Sequence, residues 1–408
     1  MATWPGHTRN TIFLGGVEAF WGLGMNLVSL GAVIPVFLEG LGASNAAIAL
    51  LPALSALGVG LPQAFSGTLT RRGGSLRARV LWLHVAAPLP LALVAAGLWS
   101  GGVSPVWLVL GGWGAFYALV GTVFPLWLDF MAGILDPERR GRAFGFIFFT
   151  QTLAGAAGVT AAGYLLGHST APQVYAALFL SAALLMAGGS FLFLGTAGGA
   201  PDEPVRPGGV DQHLRAMWGA LRRSRWMLPY LCGRWVVRGA YPLILHFYAV
   251  FAVAERGMSP SAAAILGTAA LLGQAFAGIG AGWLGDRFGH KAAVLIGQGG
   301  LASAALLLVT PVPDAAIYLA AVLTGAFLAT EYTSQTNWVI DLAGPHERRN
   351  ALGLVGFLLT PSAVLAPLAG GWIMDSVGFR PVFGAVGLLV LGAMAWEIRL
   401  VPTGRERI

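Results

Sequence analysis

The sequence contains very few charged residues. Asp, Glu, Lys and Arg make up 10% of its 408 residues, whereas an average soluble domain contains roughly 25%. A chain so poor in charge cannot cover a soluble core with a polar surface. Apolar segments recur along its whole length, and most exceed the roughly 18 residues that cross a bilayer as a helix. The composition therefore predicts an all-α polytopic membrane protein.

Cysteine and lysine are almost absent. Cys232 is the single cysteine, so no disulfide can form within the chain. Lys291 is the single lysine, so the net charge of +7 comes almost entirely from arginine. Because most of these arginines fall in loops between apolar segments, the positive charge does not indicate nucleic-acid binding. The chain also lacks an H-E-x-x-H motif, a G-x-S-x-G motif and a zinc-like cysteine spacing. We therefore expect no enzyme activity, no cofactor and no metal site.

The apolar segments predict twelve membrane spans. Their centres lie near Met25, Leu57, Pro88, Tyr117, Ala154, Ser181, Gly239, Ala270, Ala302, Ala326, Leu365 and Leu388. Of the 24 basic residues, 20 fall in alternate loops and at the termini, and only Arg256 and Arg380 fall in the opposite loops. Because positive charge accumulates on the cytoplasmic side, we predict a multi-pass protein of the cell membrane with cytoplasmic N- and C-termini.

The two halves of the chain repeat each other. The segment "SGTLTRRGG" at 66–74 matches "AGWLGDRFG" at 281–289. Further along each half, "PERRGRAFG" at 137–145 matches "PHERRNALG" at 345–353. Both pairs fall in equivalent predicted loops of the two halves. A parallel duplication of this kind is typical of transporters.

The repeat predicts three parts of the chain. We expect an N-terminal six-helix bundle at 1–198, a cytoplasmic linker at 199–225 and a C-terminal six-helix bundle at 226–408. The linker contains "VDQHLRAMWGALRRSRW", which can form a basic amphipathic helix at anionic lipid headgroups. A simple solvated connector is equally compatible with its composition.

The segment "GWLGDRFGHK" at 282–291 resembles the signature loop of the major facilitator superfamily, a Gly-x-Leu-x-Asp-Arg-x-Gly-x-(Arg/Lys) pattern. The matching residues are Gly282, Leu284, Asp286, Arg287, Gly289 and Lys291. The copy in the first half keeps Gly67, Leu69, Arg72 and Gly74 but has Arg71 in place of the acid. Together with the twelve spans and the repeat, the resemblance covers nearly the whole chain. It implies a transporter with two six-helix bundles that works by alternating access.

We interpret this cytoplasmic segment as a conformational latch. Glycines permit a tight turn and a close helix approach, and an acid and a base can pair across helices or with a helix end. The candidate latch residues are Gly282, Asp286, Arg287, Gly289 and Lys291, with Gly67, Arg72, Asp129 and Asp341 in equivalent or neighbouring loops. Because the first copy lacks the acid, we expect an asymmetric latch, with Asp129 a candidate partner of Arg72. The alternative is a loop whose arginines only set the topology.

Four ionisable residues fall inside predicted spans, where charge is costly and usually functional. They are Glu18, Arg234, Arg238 and Glu331. The resemblance implies that their spans line a central cavity. Arg234 and Arg238 share one helix face, which Tyr241 continues. Arg234 either faces the cavity or snorkels towards the cytoplasm. Arg238 lies too deep to snorkel, so it either pairs with Glu331 or Glu18 or binds an anionic substrate.

Polar neighbours extend these candidate sites. Asn26 follows Glu18 at helical spacing, and Gln335 accompanies Glu331. The predicted substrate and proton cavity therefore comprises Glu18, Asn26, Arg234, Arg238, Tyr241, Glu331 and Gln335. A carboxylate that alternates between an apolar environment and an arginine can couple transport to protons. We expect Glu18 and Glu331 to carry those protons.

The sequence thus predicts a monomeric, proton-coupled secondary transporter in contact with membrane lipids. Its substrate would be a small molecule, and an acidic group on it is one of the two alternatives that Arg238 leaves open. One alternative is an exporter of amphipathic drugs or lipids, because Trp21, Trp113, Tyr117 and Trp338 could offer aromatic faces. A different class is a non-transporting membrane receptor, although the two-half repeat argues against it.

Overall fold

The computed structural model describes residues 6–69, 75–136, 139–198, 218–219, 221–222, 224–311, 313–343 and 348–403. These residues form helices and no β-strand. The first half contains α1 (His7–Leu27), α2 (Val33–Gly40), α3 (Asn45–Ile48), α4 (Leu50–Leu69), α5 (Leu76–Ala86), α6 (Leu89–Ser100), α7 (Pro105–Ile134), α8 (Arg140–His168), α9 (Pro172–Ser190) and the 3-10 helix Phe191–Gly195. The second half contains α10 (Met227–Leu245), α11 (Tyr248–Ala254), α12 (Pro260–Phe288), α13 (His290–Val309), α14 (Asp314–Thr330), the π-helix Glu331–Gln335, α15 (Thr336–Ala343), α16 (Arg348–Val377) and α17 (Phe379–Leu400).

Eleven segments of the described chain are long and apolar enough to cross a membrane. They are Asn45–Pro62, Leu76–Ser100, Pro105–Ile134, Arg140–His168, Pro172–Gly195, Met227–Ala254, Pro260–Phe288, His290–Val309, Asp314–Ala343, Ala351–Val377 and Phe379–Leu400. Each contains one predicted centre. The remaining centre, Met25, lies in α1, which carries Glu18 and Asn26 and is separated from α2 by residues 28–32. The predicted all-α membrane fold is confirmed.

The chain divides into two compact units. The first comprises Met1–Ala43, Leu54–Val205 and Gly257–Thr268, and the second comprises Ser44–Ala53, Arg206–Arg256 and Ala269–Ile408. Two short segments are therefore exchanged: each packs in the unit formed mainly by the other half of the sequence. Ser44–Ala53 packs in the second unit and Gly257–Thr268 packs in the first. Most of the predicted linker at 199–225 lies outside the described residues.

Hydrogen bonds to a carboxylate hold the exchanged segment of the second unit. The oxygens Oδ1 and Oδ2 of Asp375 accept from the backbone N–H groups of Asn45 and Ala46, at 2.7 and 3.0 Å. These N–H groups begin α3 and have no partner within that helix, so the carboxylate satisfies them. One turn before Asp375, Gly371 leaves room for the α3 backbone, because a Cβ there would lie 2.7 Å from Ala49 Cβ.

Hydroxyl groups hold the exchanged segment of the first unit. Ser261 Oγ donates to the carbonyl oxygen of Gly163 at 2.7 Å. Two turns further along α12, the hydroxyls of Thr268 and of Thr160 on α8 share a hydrogen bond of 2.9 Å. Small residues let these helices approach closely enough for side-chain oxygens to bond across the contact.

Glycines determine the packing of α1 on α8. A Cβ at Gly22 would overlap the carbonyl oxygen of Gln151, and one at Gly158 would overlap that of Leu23. Within a bilayer, helices associate through such close van der Waals contact rather than through exclusion of water. The contact therefore depends on the missing side chains at both positions.

We predict that Gly22→Ala destabilises the protein by about 1–3 kcal/mol, because the added methyl group separates α1 from α8. The matched control is Gly111→Ala on α7, where nothing lies within 4 Å of the added Cβ. This substitution should keep or raise stability, since alanine favours a helix over glycine by about 1 kcal/mol. Thermal unfolding of the purified protein, followed by tryptophan fluorescence, measures both. Equal unfolding temperatures for the two variants would contradict the packing argument.

Candidate functional site

A buried ion pair lies within the second unit. Arg234 on α10 is 1% exposed, and Glu331 is 8% exposed. The Nη2 group of Arg234 donates to both carboxylate oxygens of Glu331. Removing two charges from water costs free energy that only close pairing offsets. Glu331 also begins the π-helix, and local π-helical turns are frequent at functional sites.

A second carboxylate, Glu397 on α17, lies beside the same guanidinium group. It is 0% exposed, and its Oε1 lies 3.9 Å from Arg234 Nη1. Its Oε2 accepts a hydrogen bond of 2.7 Å from Gln298 Nε2 on α13. Gly233 makes room for this side chain, because a Cβ there would lie 2.7 Å from Glu397 Cγ and Oε1.

Sequence reasoning missed Glu397. The residue lies close to Arg399 at the end of the last predicted span, where a carboxylate resembles an ordinary interface residue. The neighbouring glycine that admits it is on another helix, and the sequence does not indicate which helices are neighbours. The only available signal was that Glu397 is an acid within a long apolar segment.

Arg238 has a different environment from Arg234. Its guanidinium carbon lies 5.5 Å from the centre of the Tyr241 ring, a distance at which a cation and an aromatic face attract each other. Of the alternatives for Arg238, a hydrogen-bonded pair with Glu331 is not observed, because Arg234 occupies that carboxylate. The expectation that Arg234 could snorkel is also wrong, since the residue is fully enclosed. Arg238 remains close enough to interact electrostatically with Glu331.

Gln335 supports the site from the other end of the π-helix. Its Nε2 donates to the Tyr230 hydroxyl at 2.8 Å. Tyr230 is buried, and its ring meets that of Trp338 edge-to-face at 5.1 Å. The predicted polar neighbour of Glu331 therefore bonds to a rigid aromatic residue on α10, which links the π-helix to the helix that carries Arg234.

The predicted sites of the first unit lie along α1. Glu18 is 5% exposed, and its Oε2 accepts a hydrogen bond of 2.6 Å from Gln151 Nε2 on α8. Asn26 donates to the carbonyl oxygen of Gly22 within α1 at 2.9 Å. Both observed partners belong to the α1–α8 packing. A role of Glu18 and Asn26 in a substrate cavity remains a prediction.

The signature segment differs from the predicted loop. Helix α12 continues through Phe288, and α13 begins at His290, so Gly289 alone separates them. Gly289 has φ of 92°, a value that glycine adopts without steric cost. Gly285 also lets the helices approach closely, because a Cβ there would lie 2.5 Å from His290 Nδ1. The glycines therefore shape a helical corner rather than a loop.

The contacts of the proposed latch residues are unequal. Lys291 Nζ donates to the carbonyl oxygens of Ile398 and Val401 at 3.0 and 2.5 Å, which ties α13 to the C-terminal end of α17. Arg287 is exposed, with its guanidinium over the rings of Trp283 and Phe288. Of the other predicted latch residues, Asp129 and Asp286 are exposed, and Asp341 is half-buried on α15. Gly282 lies within α12. Arg72 lies outside the described residues, and Gly67 lies in the part of α4 whose side chains are not described.

Comparison with known proteins gives sequence similarity over part of the chain. Residues 233–408 match the family described as the Major Facilitator Superfamily. An uncharacterized MFS-type transporter of Mycobacterium tuberculosis is 36% identical over 138 residues, covering 30% of this chain and 22% of that protein. The tetracenomycin C resistance and export protein of Streptomyces glaucescens is 36% identical over 113 residues, covering 28% of this chain and 21% of that protein. The chain thus spans about a fifth of the length of these curated relatives.

Solved structures resemble the chain over nearly its whole length. The nucleoside transporter NupG has a TM-score of 0.74 at 14% identity, covering 95% of this chain and 99% of that one. A bacterial homolog of the human lysosomal transporter Spinster has a TM-score of 0.72 at 15% identity, covering 99% and 98%. A D-xylose-proton symporter has a TM-score of 0.71 at 16% identity, covering 98% and 99%.

These similarities define the class of protein as a polytopic membrane protein with the twelve-helix transporter fold. The sequence at 233–408, which contains the signature segment, matches the major facilitator superfamily. The resemblance inferred from its signature segment is thereby confirmed. The related proteins are named as transporters and an exporter rather than as enzymes.

We predict that Arg234→Ala destabilises the second unit by about 3–5 kcal/mol, because it leaves the buried Glu331 carboxylate without its cation. The matched control is Arg238→Ala, which removes an arginine from the same helix face but breaks no hydrogen-bonded ion pair in the described chain. Its unfolding temperature should stay close to that of the wild type. The double variant Arg234→Met/Glu331→Met should recover much of the lost stability, since it removes both charges. Thermal unfolding in detergent compares all four proteins, and equal losses at Arg234 and Arg238 would refute the assignment.

Proposed function

We propose that this chain is a secondary transporter that works by alternating access. It moves a small molecule bearing an acidic group and couples that movement to protons. The fold supports the transporter class, and the family resemblance supports alternating access between two six-helix halves. Its alternating arginine-rich loops support a cell-membrane protein with both termini in the cytoplasm. We propose that it works as a monomer.

Arg238 is the observation that supports an acidic substrate. The charge of Arg234 is neutralised by Glu331, whereas Arg238 forms no salt bridge within the described residues and contacts the face of Tyr241. A cation within a membrane span is costly unless it meets a partner or a water-filled cavity. A carboxylate or phosphate group on the substrate would supply that partner, and guanidinium binds both with bidentate geometry. Tyr241 would orient the guanidinium group for this contact.

Two buried carboxyl groups support coupling to protons. Glu331 is bound by a cation, whereas Glu18 accepts from the neutral amide of Gln151 and forms no salt bridge within the described residues. A buried carboxylate without a cation carries a desolvation cost of several kcal/mol, which protonation removes. The Glu331 carboxylate is therefore stabilised by a cation, whereas that of Glu18 is not. A carboxyl group that alternates between two such environments during transport binds a proton in one and releases it in the other.

The exchanged segments support a conformational cycle. The two hydrogen bonds from Asn45 and Ala46 to Asp375 join segments that are 330 residues apart in the sequence. They lie near Gly42 and Gly378, glycines with φ of 78° and 80° that end helices. Rocking of the two sequence halves would break and re-form bonds of this kind. In our topology this end of the helices faces the outside of the cell.

An exporter of amphipathic drugs is the second candidate. The observation that favours it is the 36% identity, over 113 residues, to the tetracenomycin C resistance and export protein. A hydrophobic ligand would bind aromatic faces rather than Arg238. The two candidates therefore differ in whether that arginine is needed for binding.

The transport proposal predicts a specific response to ligands and to pH gradients. Thermal-shift measurements on detergent-solubilised protein first compare small carboxylates and phosphates with organic cations and lipid-like compounds. Anionic ligands should raise the unfolding temperature of the wild type but not of Arg238→Ala. Uptake of such an anion into proteoliposomes should stop when the pH gradient is collapsed, and Glu331→Gln should uncouple it.

The matched control for these measurements is Arg380→Ala, which removes an exposed arginine that pairs with Glu255. This variant should bind and transport as the wild type does. Stabilisation by organic cations that survives Arg238→Ala would favour the drug-exporter candidate. Uptake that is unchanged without a pH gradient would refute proton coupling.

The conformational proposal predicts a change in accessibility near α3. In a Cys232→Ser background, a cysteine placed by Ala46→Cys reports whether this end of the helices is open to a membrane-impermeant maleimide. Asp375→Ala should increase the labelling rate several-fold, because α3 loses both hydrogen bonds. Asp314→Ala, which removes an acid bound to Arg256 at 2.8 Å, should not change it. Equal labelling in both variants would show that Asp375 does not hold this end closed.

A further inference from the structure

The cluster around Arg234 contains more acid than base. Arg234 supplies one positive charge, whereas Glu331 and Glu397 together could carry two negative charges. Both carboxyl groups are buried. Two carboxylates that share a site cannot both ionise without a large electrostatic cost, and such a pair titrates as a unit.

The two carboxyl groups are held in different ways. Glu331 receives hydrogen bonds from Arg234 through Nη2. The Oε1 of Glu397 is 3.9 Å from Nη1, too far for a hydrogen bond, and neither atom bonds to another atom of the described chain. The guanidinium group thus has a donor directed towards Glu397 that is not engaged while it binds Glu331.

Gln298 suits either protonation state of Glu397. Its Nε2 donates to Glu397 Oε2 at 2.7 Å, while its own Oε1 has no hydrogen-bond partner in the described chain. The amide oxygen and nitrogen are interchangeable by a rotation of the side chain. The amide therefore donates to a carboxylate or accepts from a carboxylic acid. A lysine or arginine at this position would instead fix Glu397 as a carboxylate.

The other helices around Glu397 add few charges. On α10, Tyr230 and Arg234 face it, and on α13 Lys291 binds backbone carbonyls of α17 near it. Residues 351–374 of α16 contain no titratable side chain. Arg238 interacts with Glu331 rather than with Glu397 and lies over Tyr241. Arg234 is thus the guanidinium group for which the two acids compete.

We propose that Glu397 is a second proton-binding site, which alternates with Glu331 as the anionic partner of Arg234. When Arg234 binds the Glu331 carboxylate, Glu397 is a carboxylic acid. When Arg234 turns to the Glu397 carboxylate, the proton resides on Glu331. One proton moves between the two carboxyl groups, so the cluster stays neutral in both states. Glu331, the more exposed of the two, is the group that exchanges its proton with water or substrate.

This inference deepens the proposed proton coupling and rests on it for its role in transport. The proton site itself can be tested without a substrate. Infrared spectroscopy of the purified protein detects the carbonyl stretch of a protonated carboxyl group, which ionised carboxylates do not show. A Glu18→Gln background removes the third buried acid of the described chain, which could contribute to this signal.

We expect the band in the Glu18→Gln protein at neutral pH. It should disappear in both Glu18→Gln/Glu397→Gln and Glu18→Gln/Glu331→Gln, because a single remaining acid ionises beside Arg234. Gln298→Leu in the same background should shift the band to higher frequency, since Glu397 loses its hydrogen-bond partner. Asp314→Asn, which changes an exposed carboxylate paired with Arg256, should leave it unchanged.

Persistence of the band in Glu18→Gln/Glu397→Gln would overturn the inference, as would an unshifted band in the Gln298→Leu variant. If the Glu397→Gln protein is not recovered folded, the Gln298→Leu spectrum alone decides. The band reports the site, whereas proteoliposome uptake reports the coupling. A missing band with pH-driven uptake would refute only the Glu397 site, and a present band with uptake independent of pH would refute only the proposed coupling.

Discussion

The buried guanidinium group of Arg234 is the constraint on which the second unit depends. A charge in a membrane span must meet an opposite charge or water, and Arg234 meets carboxylates from two other segments. Through Glu331 it binds the π-helix, and through the nearby Glu397 it approaches α17. Gln298 extends the contact to α13. Four segments are thus fixed in rotation by one cluster, because each must direct its polar side chain to the same point.

The same cluster is connected to the signature segment through α17. Lys291 binds the carbonyl oxygens of Ile398 and Val401, which lie one and four residues after Glu397. Gln298 lies two turns beyond Lys291 on α13, so one helix holds α17 both at its end and at its buried acid. Movement at the Gly289 corner would therefore displace the group that we propose competes for Arg234. This gives the signature segment a physical route to the membrane interior.

From the sequence alone, the depth of a residue in the membrane and the helix face it shares could be predicted, but not which helices pack against each other. Hydropathy placed one predicted centre in each of the eleven apolar segments of the described chain and a twelfth in α1. Helical periodicity placed Arg234 and Arg238 on one face. Which of the two arginines meets Glu331 depends on the relative rotation of α10 and the π-helix, and a π-helical turn changes that rotation without a sequence signal. Glu397 was missed for the same reason, since its burial depends on Gly233 of another helix. The corner at Gly289 was predicted as a loop because glycines and charges mark loops and helix ends alike.

Charge balance connects the proposed proton site with the proposed substrate. If Arg234 always retains one carboxylate and the other acid keeps a proton, the positive charge of Arg238 is left without compensation in the second unit. Binding an anion there restores neutrality, and burial of a neutral site costs far less than burial of a net charge. Loss of the proton without the anion would also restore neutrality, by freeing a carboxylate near Arg238. Proton and anion would then occupy the site together or leave it together, which is the thermodynamic requirement for symport rather than independent leakage.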